Sequence, residues 1–452
     1  MTHSMHATRR TFLRRAGALT TVAGFSRFGL MNALAQNASD YKALVCIFML
    51  GGNDSHNMLV PQSPAAYTSY LQIRGSLALP DGNAKLLPVS ATDGTPYAVT
   101  DGLAAIQPLW GAGRLAAVAN VGMLVQPTTR AQYLAGAVTV PTNLFSHADQ
   151  VQEMQAGDAN GSGGTGWAGR VADAVQAMNG AATFPAAISM SGSALFCAGN
   201  VVQSASLIPG FDLTPNGMAA WPASAAAAKQ QALQEILTFD TGLTMVQAAN
   251  KVRQDAISLN GMLAGLAAGP ALTTVFPGTS IGQQLQQVAK IIQLRGSTGM
   301  SRQVFFCSIG GFDTHSGQSW AQWDLLRQVA AAMQAFYNAT GEMGIPDKVT
   351  AFTESDFGRT LQPSGTGCDH GWGSHHLVLG GAVKGGNVYG AFPALALGGP
   401  DDSGNRGAMI PSTSIDQYGA TLAKWFGVSA AALPTVFPRI GNFPVTDLGF
   451  LG

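Results

Sequence analysis

Three short runs are built almost wholly from apolar, β-branched and aromatic side chains: residues 43–50, 304–309 and 349–353. Runs of this length, unbroken by the alternation of a half-exposed strand, predict strands buried on both faces, the mark of a parallel sheet. Each ends in a polar turn: Gly51-Gly52, Gly310-Gly311 and Glu354-Ser355-Asp356. Between the second and third, residues 318–340 are rich in Ala, Gln, Leu and Trp and predict a helix, as do residues 281–295 ahead of the second. Helix, strand, helix, strand contains a βαβ unit with a right-handed crossover. The pattern adds strands at 115–121, 186–190 and 377–379 and helices at 102–110 and 167–178. Residues 224–267 read as two helices with a short break, a helical cap inserted between sheet halves. No repeat and no linker divides residues 40–452. The expectation is one α/β domain, a mostly parallel sheet sandwiched by helices.

The first 35 residues read as an address. Thr8-Arg9-Arg10-Thr11-Phe12-Leu13-Arg14 is followed by a weakly apolar stretch over 16–30 and by Ala33-Leu34-Ala35. This is a twin-arginine export signal with an A-x-A cleavage site, to be removed after Ala35. It predicts passage through the twin-arginine translocase to the periplasm or beyond. After residue 40 no stretch approaches the roughly 18 apolar residues of a membrane span, so no stable membrane insertion is expected.

Composition narrows the partners. A formal net charge of zero argues against nucleic acid and anionic membrane, which call for a basic footprint. With 46% hydrophobic and 11% charged residues, the chain can bury a large core, and its 56 glycines and 22 prolines imply many ordered turns. Four cysteines are too few for a disulfide scaffold. Cys46 and Cys307 fall in the apolar runs and read as buried thiols, whereas Cys197 and Cys368 lie in loop-like sequence, where their pairing is open.

The histidines carry the candidate chemistry. Once His3 and His6 leave with the signal, six remain, each near an aspartate or another histidine: His56, His147, His315, His370, His375 and His376. Imidazole and carboxylate together form the ligand set of zinc and related divalent ions. Strand-end loops of a parallel sheet open on one edge, where such folds place ligands, so these motifs converge.

After the first strand, Gly51-Gly52-Asn53-Asp54-Ser55-His56-Asn57 is either a simple turn or a site that brings oxygen ligands to the sheet edge. In Asp313-Thr314-His315 the two ligand types project to the same side of an extended segment, for one ion or for a plain Asp-His hydrogen bond. Behind Asp356, Arg359 offers a fork of donors suited to phosphate or sulfate, or to an ion pair with Glu354 or Asp356. Asp369-His370 and His375-His376 form the densest cluster, in which at least one imidazole should be a ligand and another a partner behind it. Ser146-His147-Ala148-Asp149 opens a helical stretch, with Ser146 either as its cap or as a nucleophile at the positive end of the helix.

Taken together, Gly51-Gly52-Asn53-Asp54, Phe145-Ser146-His147, Gly311-Phe312-Asp313-Thr314-His315, Asp356-Phe357-Gly358-Arg359-Thr360, Asp369-His370 and the segment from Gly380 to Gly386 resemble the bacterial family catalogued as domain of unknown function 1501. The resemblance covers the whole mature chain and implies an alkaline-phosphatase-like fold within the phosphatase and sulfatase superfamily. It implies Asp54 as the first-strand metal ligand, Asp313 and His315 as a later pair, Asp356 as the strand-end carboxylate, and His370 or His375 as the last imidazole. Where that superfamily often has Asp-His after the last strand, this chain has Asp356-Phe357.

The expected activity is that of an exported hydrolase of phosphate or sulfate esters, acting on a small ester or an anionic polymer. Its divalent metal would be zinc foremost, with calcium, magnesium or manganese as the other choices. Ser146, His147 and Arg359 are the catalytic candidates, with Ser55 as rival nucleophile and Lys384 as a second grip on oxygens. The alternative is a non-catalytic secreted protein that keeps the fold for binding or surface assembly.

Overall fold

The structure is a computed structural model and describes residues 40–82, 84–161, 163–209, 222–239, 242–264 and 271–452. The export signal over residues 1–35 lies outside the described residues. Strand β1 (Lys42–Met49) is buried from Ala43 onward, as its unbroken apolar run requires. β2 (Leu59–Pro61), β3 (Leu86–Ser90) and β4 (Pro96–Thr100) follow around helix α1 (Pro64–Arg74), and then β5 (Leu115–Gly122). Next come α2 (His147–Ala156), α3 (Trp167–Val175), β6 (Ala187–Ser189) and β7 (Ser204–Ser206). Two helices, α4 (Ala223–Thr238) and α5 (Thr244–Ala264), occupy the stretch read as a cap. The second half holds α6 (Ser280–Gln293), β8 (Arg302–Ile309), α7 (Gln318–Glu342) and β9 (Val349–Ser355). It ends with β10 (Arg359–Ser364), β11 (Gly367–His370), β12 (Ser374–Gly380), β13 (Val388–Tyr389), β14 (Thr413–Ser414) and α8 (Ile415–Phe426).

Among the described residues, the main sheet has nine strands in the order β13-β5-β12-β9-β1-β8-β6-β7, with β14 also on β5. β1 lies at its centre, parallel to β8 from Lys42↔Arg302 to Met49↔Ile309 and parallel to β9 from Ala43↔Val349 to Met49↔Ser355. β12 is antiparallel to both β9 and β5, and the other pairings in this sheet are parallel. The fold is therefore α/β with a mixed, mostly parallel sheet. β8 and β9 are not neighbours, because β1 separates them, so the loop after β1 lies between the loops after the other two.

Helix α6 buries Ile281, Leu285, Val288, Ala289 and Ile292, one stripe at helical spacing, against α7 and β8. Trp167 of α3 and Tyr418 of α8 both meet the ring of Phe352 on β9. A capping box between Ser414 and Gln417 starts α8.

Where a helix was expected over 102–110, the chain forms a 3-10 turn (Asp101–Leu103) and then a short helix (Gln107–Gly111) with Pro108 in its first turn. Proline has no N–H to give an earlier carbonyl, so the helix restarts there. The antiparallel sheet β2-β4-β3 and the hairpin β10-β11 are additions that the apolar runs did not announce. All four cysteines are buried and free. No helix among the described residues is long and apolar enough to cross a membrane.

Candidate functional site

The loops after β1, β8 and β9 leave the same edge of the sheet and touch. Gly51 and Gly52 both have positive φ, 113° and 80°, and a side chain on Gly51 would collide with the backbone of Phe312 and Asp313. Only glycine allows the first loop to lie this close to the second. The amide of Gly51 then donates to both carboxylate oxygens of Asp356, at 3.1 Å each.

Asp313 is the focus of the site. Its Oδ1 lies 3.3 Å from His147 Nε2, 3.1 Å from His315 Nε2 and 3.6 Å from His370 Nε2, and His315 Nε2 is 3.0 Å from His370 Nε2. The ligand atoms of His147, Asp313 and His370 all lie within 4.8 Å of one another. Ligands about 2.0–2.1 Å from a tetrahedral zinc ion stand about 3.3 Å apart, so these side chains could hold an ion between them.

The far side of each ring agrees. His147 Nδ1 is 2.7 Å from Asp356 Oδ2, His370 Nδ1 is 2.6 Å from the carbonyl of Phe145, and His315 Nδ1 is 3.4 Å from Asp369 Oδ1. Each Nδ1 faces an acceptor and so carries a proton, which leaves the Nε2 lone pairs directed at Asp313; these tautomers are assigned from the partners. Nε2 of His147 is buried and makes no hydrogen bond, an orphan that a bound cation would satisfy.

Electrostatics keep Asp313 ionised and His370 neutral but favour a protonated His147, which would have to give up that proton to hold an ion. Burial pushes the Asp313 carboxyl up, but the hydrogen bond and charge of Arg359, with His147 and His315 behind it, outweigh this and hold it at about 2. The hydrogen bond to Asp356 raises the pKa of His147 above its ordinary value against the opposing effect of burial. Burial lowers that of His370, which is therefore neutral and able to give a lone pair.

His147 is the first residue of α2, and the turn before it is tight, with Asn143 at φ 53° and Phe145 at φ 71°. That turn aims the Phe145 carbonyl at His370. The expected cap does not form: the Ser146 hydroxyl donates to Asp149 Oδ2 at 2.5 Å and makes no bond to the helix backbone. Ser55, the rival, is buried with an unpartnered hydroxyl.

Asp54, Asp356, His375, Arg359 and Lys384 stand apart from the roles expected of them. Asp54 is fully buried in an ion pair with Arg74 and also accepts from Gln318 Nε2 and from the His56 amide at 3.2 Å. Its charge is already compensated. Asp356 faces the back of His147 rather than the centre. His375 lies on β12 and accepts the Asn120 amide at Nδ1, 2.9 Å away, so its proton resides on Nε2 and no lone pair remains for an ion. His376 packs on Tyr418.

Arg359 is buried and donates to the carbonyls of Gly51, Gly52, Phe312 and Cys368 and to Asp313, which leaves no fork for a substrate oxyanion. It buckles the three loops together. Lys384 follows Gly380, which pairs with Thr350 near the start of β9, so it leaves the sheet at the opposite edge from Asp356.

Four supporting side chains were not named from the sequence. Arg74 has no motif around it, and Arg406, which pairs with Asp369 behind His315, is remote in the chain. Gln318 and Gln322 did leave a signal: two amides at i and i+4 in the stripe that α7 otherwise fills with Leu326, Val329 and Met333.

No curated protein matches the chain. Among solved structures it is similar to the lipoteichoic acid synthase LtaP from Listeria monocytogenes, at 6% identity and a TM-score of 0.34, over 87% of this chain and 74% of that one. The family model described as Protein of unknown function (DUF1501) matches residues 41–403, and the chain belongs to that family.

Proposed function

We propose that the protein is an exported, metal-dependent hydrolase of phosphate or sulfate esters, with Asp313, His147 and His370 holding a divalent ion and His315 beside them. One observation carries this: three imidazoles, each with Nδ1 on an acceptor, turn Nε2 toward a single carboxylate oxygen at ligand spacing. Nitrogen-rich donors of this kind suit zinc better than calcium or magnesium. A bound ion would supply Lewis acidity and offset the charge that develops on the ester oxygens.

The chain's own groups supply the rest. Asp356 and the Phe145 carbonyl fix two imidazoles in orientation, so the ligand set needs little rearrangement on binding. Ser146 stands one residue before His147, at the start of α2, where free amides of the first turn favour negative charge. Its hydroxyl proton points to Asp149, whose carboxyl this hydrogen bond holds below the usual range. Asp149 thus orients the hydroxyl and is a weak base for it.

The test couples metal analysis of the purified protein to hydrolysis of aryl phosphates and aryl sulfates by the wild type, D313N, H147A and S146A. The proposal expects metal-dependent turnover that D313N and H147A abolish, and loss in S146A if the hydroxyl attacks. Stoichiometric metal with no turnover on either ester class would support the second reading, a binding protein with a structural ion. That reading draws on the inward-facing Arg359 and the distant Lys384, which leave no cationic side chain among those expected to grip an oxyanion.

A further inference from the structure

We infer that Asp356 is a positioning residue behind His147, outside the coordination sphere, and that the centre holds one ion rather than two. The inference rests on the metal reading of the same site. Asp356 Oδ2 is 2.7 Å from His147 Nδ1, and both of its oxygens accept from the Gly51 amide. The carboxylate is 2% exposed, and the donors it meets, the Gly51 amide and the His147 ring, both come from the chain itself. That supply depends on a backbone turn that no other residue type fits, since a Cβ at Gly51 would strike the Asp313 backbone.

The remaining carboxylates around the centre are engaged as well. Asp54 is neutralised by Arg74 and held by Gln318, and Asp369 is paired with Arg406 and His315. A second divalent ion would need oxygen donors from one of these three, at the cost of a pair already formed. The carboxylate–imidazole–metal arrangement fixes which nitrogen bears the proton and stiffens the ring, and loss of such a partner lowers metal affinity roughly 10–100-fold.

The experiment uses the full mature chain, D356N and H147A. Metal-free protein is loaded with Co²⁺ or Zn²⁺ alone, and stoichiometry, competition-titrated affinity and the Co²⁺ visible spectrum are read. The wild type should bind one ion. D356N should bind one ion about 10–100-fold more weakly with the wild-type spectrum, whereas H147A should change the spectrum because a donor is lost. Two ions per wild-type chain, or a D356N spectrum that differs from wild type, would overturn the assignment.

A second arm needs no variant and no metal. Long-range ¹⁵N–¹H correlation on the metal-free wild type should show the neutral His147 ring protonated at Nδ1. The proton on Nε2 would refute the positioning role even if no metal bound at all. A wild type that binds no ion while keeping the Nδ1 proton would end the one-ion clause and the hydrolase proposal together, leaving Asp356 as the orienting partner.

Discussion

Replacing Arg74 with methionine tests the physics of a fully buried charge pair. The Arg74 and Asp54 side chains are both 0% exposed, and Arg74 also donates to the carbonyls of Thr360 and Leu361, at 3.3 and 3.2 Å. Methionine keeps most of the volume, so the cavity contribution is small. Asp54 would keep the Gln318 amide and the His56 N–H, two neutral donors for a full buried charge. Removing one partner of a buried pair costs about 3–5 kcal/mol. Each carbonyl left without its donor adds on the order of 1 kcal/mol. Against a total stability of about 5–15 kcal/mol, R74M should be close to unfolding at 37 °C.

Urea denaturation at low temperature, followed by tryptophan fluorescence and far-ultraviolet circular dichroism, measures the loss. The informative control is the double variant D54N/R74M, which removes both charges. It should be more stable than R74M alone by about 2 kcal/mol or more, because no unpaired charge remains. A loss below about 1 kcal/mol in R74M, or a double variant that costs the sum of the two singles, would refute the account.

Three further outcomes follow from the same geometry. H315A should lower bound metal several-fold in elemental analysis while leaving the circular dichroism spectrum unchanged, since the ring is half exposed and packs little. R359M should cost more than about 3 kcal/mol in urea unfolding, because it strips donors from the loop carbonyls of Gly51, Gly52 and Cys368 at once. Burial, with Asp149 nearby, pushes the Glu153 carboxyl up to about 8, so the folded state binds a proton there that the unfolded state releases near pH 4.5. Stability should therefore fall as pH rises through that window, and E153Q should gain more than about 1 kcal/mol over wild type between pH 5 and pH 9.

The sequence announced the strands that are buried on both faces and left the rest to the structure. β1, β8 and β9 were legible because an apolar run cannot sit at a surface, and the polar turns after them fixed the edge where chemistry collects. Their order was not legible, since no local signal says that β1 separates β8 from β9. The small sheet β2-β4-β3 was missed because Pro88 and Pro96 and short alternating runs look like loop. At the site, Asp313, His315 and His370 were named from composition and spacing, and the structure brings them together. Asp54 and His375 were named on the same grounds but lie outside the cluster. Their partners, Arg74 and the Asn120 amide, are long-range neighbours that no motif encodes. His147 was named for catalysis, and its place beside Asp313 depends on the positive-φ turn at Asn143 and Phe145, which residue type alone would not suggest.

The central position of β1 has a consequence for biosynthesis. It leaves the ribosome long before its partners, which begin at Arg302 and Val349, so both of its hydrogen-bonding edges stay bare until those segments have been made. Such long-range pairing is slow, and an apolar strand with unsatisfied edges invites association with other nascent chains. The protein should therefore depend on a holding chaperone during translation far more than its folded surface suggests. Truncation before residue 349 should yield inclusion bodies rather than a smaller folded product.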